Sequence, residues 1–195
     1  MSAPVPESPD ANLAAAARGD AEGRHDEAVA ALRRAAKAGS VEGARELGIR
    51  LLIGRNAPFD PQEGIALLTF AAEQGDGAAL AQMATLKAAG AWMPQNWNEA
   101  LDLLQSAAER GAARARGQLA ILGNAALAVR ARGGECGLWG ALRASVDLRA
   151  WTTPPVRRVI CEAPRIRAVD RFVPTAVCDW LMTCGRGKYQ RSKMF

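Results

Sequence analysis

LRRAAKAGSVEGARELG at 32–48, LTFAAEQGDGAALAQMA at 68–84 and LQSAAERGAARARGQLA at 104–120 align without a gap, each starting 36 residues after the last. Within them Ala35-Ala36, Ala71-Ala72 and Ala107-Ala108 correspond, as do Gly39, Gly75 and Gly111. Leu47, Met83 and Leu119 fall in register, each followed by a small residue: Gly48, Ala84 and Ala120. Outside these windows Glu27 matches Glu63 and Glu99, Val29 matches Ile65 and Leu101, Gly54 matches Gly90, and Pro58 matches Pro94. Self-similarity at a fixed period of this size is the signature of stacked supersecondary units.

Local chemistry says what each unit is. Asp60-Pro61-Gln62-Glu63 offers an N-cap carboxylate, a proline at the first helical position and a glutamate three residues on, which reads as a capping box. Asn96-Trp97-Asn98-Glu99 repeats the arrangement with asparagine as the cap. Ile65, Leu68 and Phe70 then run to Gly75, where glycine can take the left-handed conformation that ends a helix. A second helix is expected at about 77–89, closed by Gly90. The first unit has Arg24 at the cap position, so its helix either starts less sharply or is capped by Asp26. Residues 11–18 read as a leading helix and 112–131 as the last second helix. No single pair can bury its apolar face alone, so stability has to come from stacking on neighbours.

The motif A-A-x-x-G, a small residue, then L-G at 35–48, followed by G-x-x-x-P-x-D at 54–60, resembles the Sel-like repeat family, relatives of tetratricopeptide repeats. The likeness covers about 120 residues, with Asn96 replacing the aspartate in the third unit. It implies a mainly α protein, a right-handed α–α solenoid at 11–131 used for protein–protein contact, without naming the partner.

Composition agrees with a helical body. The apolar fraction is 49% but alanine-rich, with only one Tyr and four Phe, and alanine has the best helix propensity. The first ten residues read as a disordered tail and have no secretory signal character. No apolar run reaches the roughly 18 residues a membrane-spanning helix needs, so no membrane association is expected. Cys136, Cys161, Cys178 and Cys184 lack C-x-x-C spacing and read as free thiols in a reducing cytoplasm, with two disulfides as the open alternative.

After Gly133-Gly134 the repeat is lost. Leu138, Leu142 and Val146 have helical spacing, and Pro154-Pro155 then breaks the chain, giving a helix and proline-containing linker at 132–156. Residues 157–161 and 165–169 read as short strands, Pro174 opens a helix ending at Gly185 or Gly187, and 189–195 would begin another strand. This α+β segment, PRIRAVDRFVPTAVCDWLMTCGRGKYQRSKMF, resembles the opening of a prolyl 4-hydroxylase-type 2-oxoglutarate/Fe(II) oxygenase domain through Phe172, Pro174, Cys178, Asp179, Leu181 and Ser192. That family holds iron with His-x-Asp and a distal His. This chain has one histidine, His25, inside the first repeat, so the resemblance implies at most an incomplete oxygenase-like start at 157–195. Fe(II) and 2-oxoglutarate would enter only with a longer chain, and no catalytic, cofactor or metal residue is assigned here.

His25 beside Asp26 reads as an exposed helix-end histidine. Trp92 and Trp97 flank an inter-repeat loop and are either partner anchors or packing between repeats. Gly185-Arg186-Gly187 lacks any surrounding phosphate-binding pattern and reads as a helix stop. Residues 157–195 carry nine Lys/Arg against three acids, a net +6, leaving −1 on the first 156. With few aromatics among them, Trp180 and Tyr189 chief, nucleic acid is the disfavoured alternative to a protein partner.

Overall fold

The computed structural model describes residues 8–132, 137–170 and 172–186. The described chain is mainly helical: α1 Pro9–Ala21, α2 His25–Lys37, α3 Val41–Ile53, α4 Pro61–Glu73, α5 Gly77–Ala89, α6 Trp97–Glu109, α7 Ala113–Leu122, α8 Ala125–Arg132, α9 Leu138–Ala144, α10 Leu148–Thr152 and α11 Thr175–Gly185. Two strands, β1 Arg158–Cys161 and β2 Ile166–Ala168, form an antiparallel hairpin pairing Arg158 with Ala168 and Val159 with Arg167. The chain divides into two compact units, Met1–Arg116 and Gly117–Phe195.

In the first unit the 36-residue period is a backbone fact. Gly39, Gly75 and Gly111 have φ of 87°, 82° and 87°. At each, the glycine N–H donates to the carbonyl three residues back (Ala36, Ala72, Ala108), and the next residue's N–H donates to the carbonyl five back (Ala35, Ala71, Ala107). This is the paired closure of a helix whose last carbonyls would otherwise lack donors. Ser40 and Asp76 follow and cap the next helix, accepting from the N–H of Gly43 (3.1 Å) and Ala79 (2.7 Å). The third unit has Ala112 there, which has no side-chain acceptor to offer. At the other ends of α3 and α5, Gly54 and Gly90 are left-handed, and the N–H groups of Asp60 and Asn96 donate back to Leu51 and Lys87, each at 3.0 Å.

Packing follows the same register. Leu32, Leu68 and Leu104 are buried, as are Ala35, Ala71 and Ala107, and Leu47, Met83 and Leu119. The helices pair most extensively as α1 with α2, α3 with α4 and α5 with α6, while α2–α3 and α4–α5 link the pairs into a stack. Small residues set the α3–α4 separation. A Cβ on Gly48 would lie 2.9 Å from the Gly64 carbonyl oxygen, and one on Gly64 would lie 2.9 Å from that of Gly48.

Four expectations need correction. The leading helix starts at Pro9 rather than residue 11, because Ser8 accepts from the Ala11 N–H and proline is preformed for the first turn. This removes residues 8–10 from the expected disordered tail of 1–10, whose other residues lie outside the described ones. The capping boxes are half-made. Asp60 and Asn96 do accept from their helices, but their own N–H groups are taken by Leu51 and Lys87; Glu63 turns to Arg33 of α2, and Glu99 accepts from Lys87 of α5 and from the Asn96 side-chain amide. Of the two starts expected for α2, the uncapped one at Arg24 is found, and the Asp26 cap is not: Asp26 lies inside the first turn. The span 112–131 is two helices: Gly123 breaks it and Asn124 caps α8 through the Ala126 and Leu127 N–H groups.

The second unit closes around α9, where Trp139 and Leu142 are buried. Gly123 lies so close to this helix that a Cβ there would sit 2.6 Å from Leu142 Cδ1. Helix α11 brings Trp180 Nε1 to 2.6 Å from where a Gly117 Cβ would be. The division into units falls within α7. The expected strand at 189–195, with Ser192, lies outside the described residues.

Candidate protein-interaction surface

Four large apolar side chains of the first unit stay exposed, on or beside the loops after α3 and α5. Ile53 is 64% exposed, Phe59 62%, Trp92 51% and Trp97 42%. The two loops share a backbone: Asn56 and Trp92, 36 residues apart, both have φ of 55°. They differ in what that backbone projects. Phe59 lies against Gly54, 3.2 Å from where a Cβ would be, and its register partner Gln95 lies against Gly90 in the same way at 3.1 Å. Gln95 also donates to the Ala88 carbonyl (2.7 Å). The Phe59 and Trp92 rings meet edge to face with centroids 6.1 Å apart. Trp92 therefore touches Phe59 of the preceding loop while half of its surface stays open. Trp97 stands at the first position of α6.

Beside Gly54 is an open groove of about 310 Å³ lined by Asp20, Ile49, Arg50, Ile53, Arg55 and Asn56. The Asp20 carboxylate is fully engaged. Arg50 grips both its oxygens, one of them at 2.9 Å, and His25 Nδ1 lies 3.3 Å from Oδ1. The Arg50 hydrogen bonds, with a smaller contribution from His25, hold Asp20 below the ordinary carboxylate range despite partial burial. This is where His25 falls: in an ion-pair cluster joining α1, α2 and α3.

Other charged pairs tie neighbouring repeats together. Arg33 of α2 grips Glu63 of α4 at 2.5 and 3.1 Å, and that hydrogen bonding holds the guanidinium above its usual value. Arg45 of α3 reaches Asp76 at 2.7 Å; burial works against its charge, but Asp76 and Glu46 more than offset it. Lys87 of α5 meets Glu99 of α6 at 2.7 Å.

The described residues include no cluster of three His, Cys, Asp or Glu side chains able to hold a metal. Residues fitting an oxygenase iron are not brought together: His25 is committed to Asp20, and Asp179 lies on α11 with no histidine in its own unit. Cys161, Cys178 and Cys184 are free thiols. In the hairpin, Arg158 pairs with Asp170 (3.2 Å) and Arg167 with Glu162 (3.1 Å), so two of the basic residues of the C-terminal segment are already neutralised. No described helix is long and apolar enough to cross a membrane.

Stacked helix pairs with a fixed 36-residue register define an α-solenoid, and similarity to one solved structure specifies which kind. The chain is similar to the Sel1 repeat protein from Oxalobacter formigenes, with 27% sequence identity, a TM-score of 0.57, and coverage of 77% of this chain and 63% of that one. It also matches c5321, a protective antigen present in uropathogenic Escherichia coli strains and displaying an SLR fold, at 21% identity, TM-score 0.46, and 60% and 25% coverage. The solenoid of Sel-like helix pairs expected from the sequence is the fold of this chain. It spans less than two thirds of the length of the Oxalobacter protein. No protein-family model and no curated protein matches.

Proposed function

We propose that the chain is a protein-interaction scaffold. The reading is carried by one observation: a stack that buries its alanine and leucine interior leaves Phe59 and Trp92 in contact yet half or more exposed on successive loops, with Ile53 exposed at the end of α3. Single exposed apolar residues need no explanation, but adjoining ones supported by a repeated backbone mark a contact surface. Similarity to Sel1 repeat proteins supports the same reading. Its test is affinity capture with the intact chain from extract of the source organism. Saturable, stoichiometric retention of a defined protein is expected; retention that neither saturates nor survives dilution would end the proposal.

A second reading concerns the C-terminal unit. The order hairpin, Phe172, then α11 from Thr175 matches the order expected for the opening of a 2-oxoglutarate/Fe(II) oxygenase-type domain. On this reading the chain itself still lacks the histidines for iron, so Fe(II) with 2-oxoglutarate should leave its melting temperature unchanged, and a clear rise would refute that expectation.

A further inference from the structure

We infer that the loop edge formed by Ile53, Arg55, Phe59 and Trp92 holds a short acidic segment of a partner protein, in which carboxylates alternate with apolar side chains. This rests on the scaffold reading above and names the surface and the chemistry it takes.

Two independent features of the edge converge. The first is the shelf. Residues 56 and 92 sit at the same left-handed position of equivalent loops. Asparagine takes that conformation readily, whereas a bulky side chain there is a backbone outlier. Trp92 accepts the strain and yet remains half exposed, edge-on to a Phe59 ring that is more exposed still. A strained tryptophan buried in the core would be explained by packing. One held out in water is the kind of outlier from which a contact role is inferred.

The second feature is charge. In the adjoining groove Asp20 is neutralised by Arg50, and Asn56 is uncharged. Arg55 makes no ion pair or hydrogen bond among the described residues. The uncompensated charge is thus a single guanidinium, rimmed by the Ile49 and Ile53 side chains. A guanidinium accepts a carboxylate in a two-pronged geometry, and the flanking apolar surface shields that pair from water. The groove is lined by Ile53 and Arg55, and Phe59 packs against Gly54, the residue between them in the chain. One ligand therefore meets, in order, an apolar wall, a cation and an aromatic shelf. Side chains of an extended segment alternate in direction, so carboxylate and apolar groups can engage these in turn.

The test uses the full chain and two N-acetylated, C-amidated octapeptides, one alternating glutamate with leucine and one alternating lysine with leucine, titrated by calorimetry at low salt. The glutamate peptide should bind at one site, at least tenfold tighter than the lysine peptide. Arg55→Glu should abolish that preference. Trp92→Asn, which installs the residue the preceding repeat uses at this position and so preserves the fold, should weaken binding at least tenfold. Equal binding of the two peptides, no binding of either, or affinity unchanged by both substitutions would overturn the inference. So would self-association of the chain that Trp92→Asn abolishes, because the occupant would then be a second copy. A partner captured equally by the wild type and Trp92→Asn would sink this edge and leave the scaffold standing; capture by neither would sink both.

Discussion

Substituting Gly48 with alanine separates packing from helix propensity, because the two act in opposite directions. Alanine in a helix interior is favoured over glycine by about 1 kcal/mol. Against this, the new methyl would lie 2.9 Å from the Gly64 carbonyl oxygen, 3.1 Å from Leu68 Cγ and 3.3 Å from Leu67 Cβ. The first of these is main chain inside α4 and cannot rotate away, so α3 and α4 must move apart by a few tenths of an ångström. Overpacking of this kind costs about 1–3 kcal/mol. The main-chain obstacle argues for the upper half of that range, so Gly48→Ala should destabilise by about 1–2 kcal/mol net of propensity. With a urea dependence of about 2 kcal/mol per molar, the midpoint of the helical transition should fall by about 0.5–1 M. Gly64 carries the reciprocal clash with the Gly48 carbonyl and with Leu52 Cγ, both at 2.9 Å. Once one methyl has parted the helices the second meets less resistance, so Gly48→Ala with Gly64→Ala should cost less than the two single changes added. Urea titrations followed by circular dichroism at 222 nm decide the matter. An unchanged or raised midpoint for Gly48→Ala, or strict additivity in the double variant, would show that glycine does not set the α3–α4 distance.

The missing cap predicts a gain: Ala112→Asp, copying Asp76, should stabilise α7 by about 0.5–2 kcal/mol, and no rise in melting temperature would count against the register argument. Leu68, fully buried between neighbouring pairs, should cost about 2–5 kcal/mol as Leu68→Ala, read by the same denaturation assay. Asp20 is held below its ordinary carboxylate value by Arg50, so the stability it contributes is complete above the unfolded value of about 3.9 and is lost as pH falls through the folded value. The advantage of the wild type over Asp20→Asn should accordingly be constant from neutral pH to about 5 and shrink below it, and a pH-independent difference would refute the assignment. Trp92→Asn sheds left-handed strain on the order of 1–2 kcal/mol but forfeits a ring contact of roughly 0.5–1.5 kcal/mol together with the burial of half the indole, so the melting temperature should shift by no more than a few degrees; a large fall would mean that Trp92 is structural.

Most of the stack was legible because its determinants are local and recur. Gly39, Gly75 and Gly111 mark turns that need a positive φ, and that need is written in the residue itself. The alternation of Leu32, Leu68 and Leu104 with paired alanines gives the buried face directly. What failed was whatever depends on a second helix. The glutamates at 63 and 99 have the spacing of a capping box, but Arg33, distant in sequence, takes Glu63, and Glu99 divides between Lys87 and the side-chain amide of Asn96. The break at Gly123 was unreadable because the apolar pattern of 112–131 runs through it, and only the fit against Leu142 and the Asn124 cap reveal two helices. Of the candidate surface, Trp92 and Trp97 were singled out in sequence but Ile53, Arg55 and Phe59 were not. Their significance comes from folding the α3 loop beside the α5 loop, and the one signal available was the departure from the repeat at 53, 56 and 59.

That departure carries a physical argument. Positions 32, 35 and 47 and their register equivalents are buried, so each must fit neighbours that are themselves repeated, and only small or aliphatic residues satisfy that condition. Positions 53, 56 and 59 sit on a backbone reproduced at 89, 92 and 95, yet hold Ile, Asn and Phe in one repeat and Ala, Trp and Gln in the next. The fold places no packing demand on these exposed side chains beyond the left-handed φ, and at Trp92 even that demand is met at a cost. A stack of this kind keeps its interior uniform in order to hold together, and what distinguishes one repeat from the next is free to accumulate on the edge. Selective binding, which requires differences along the stack, therefore belongs on the loops carrying Ile53, Phe59 and Trp92 and not on the alanine-lined interior.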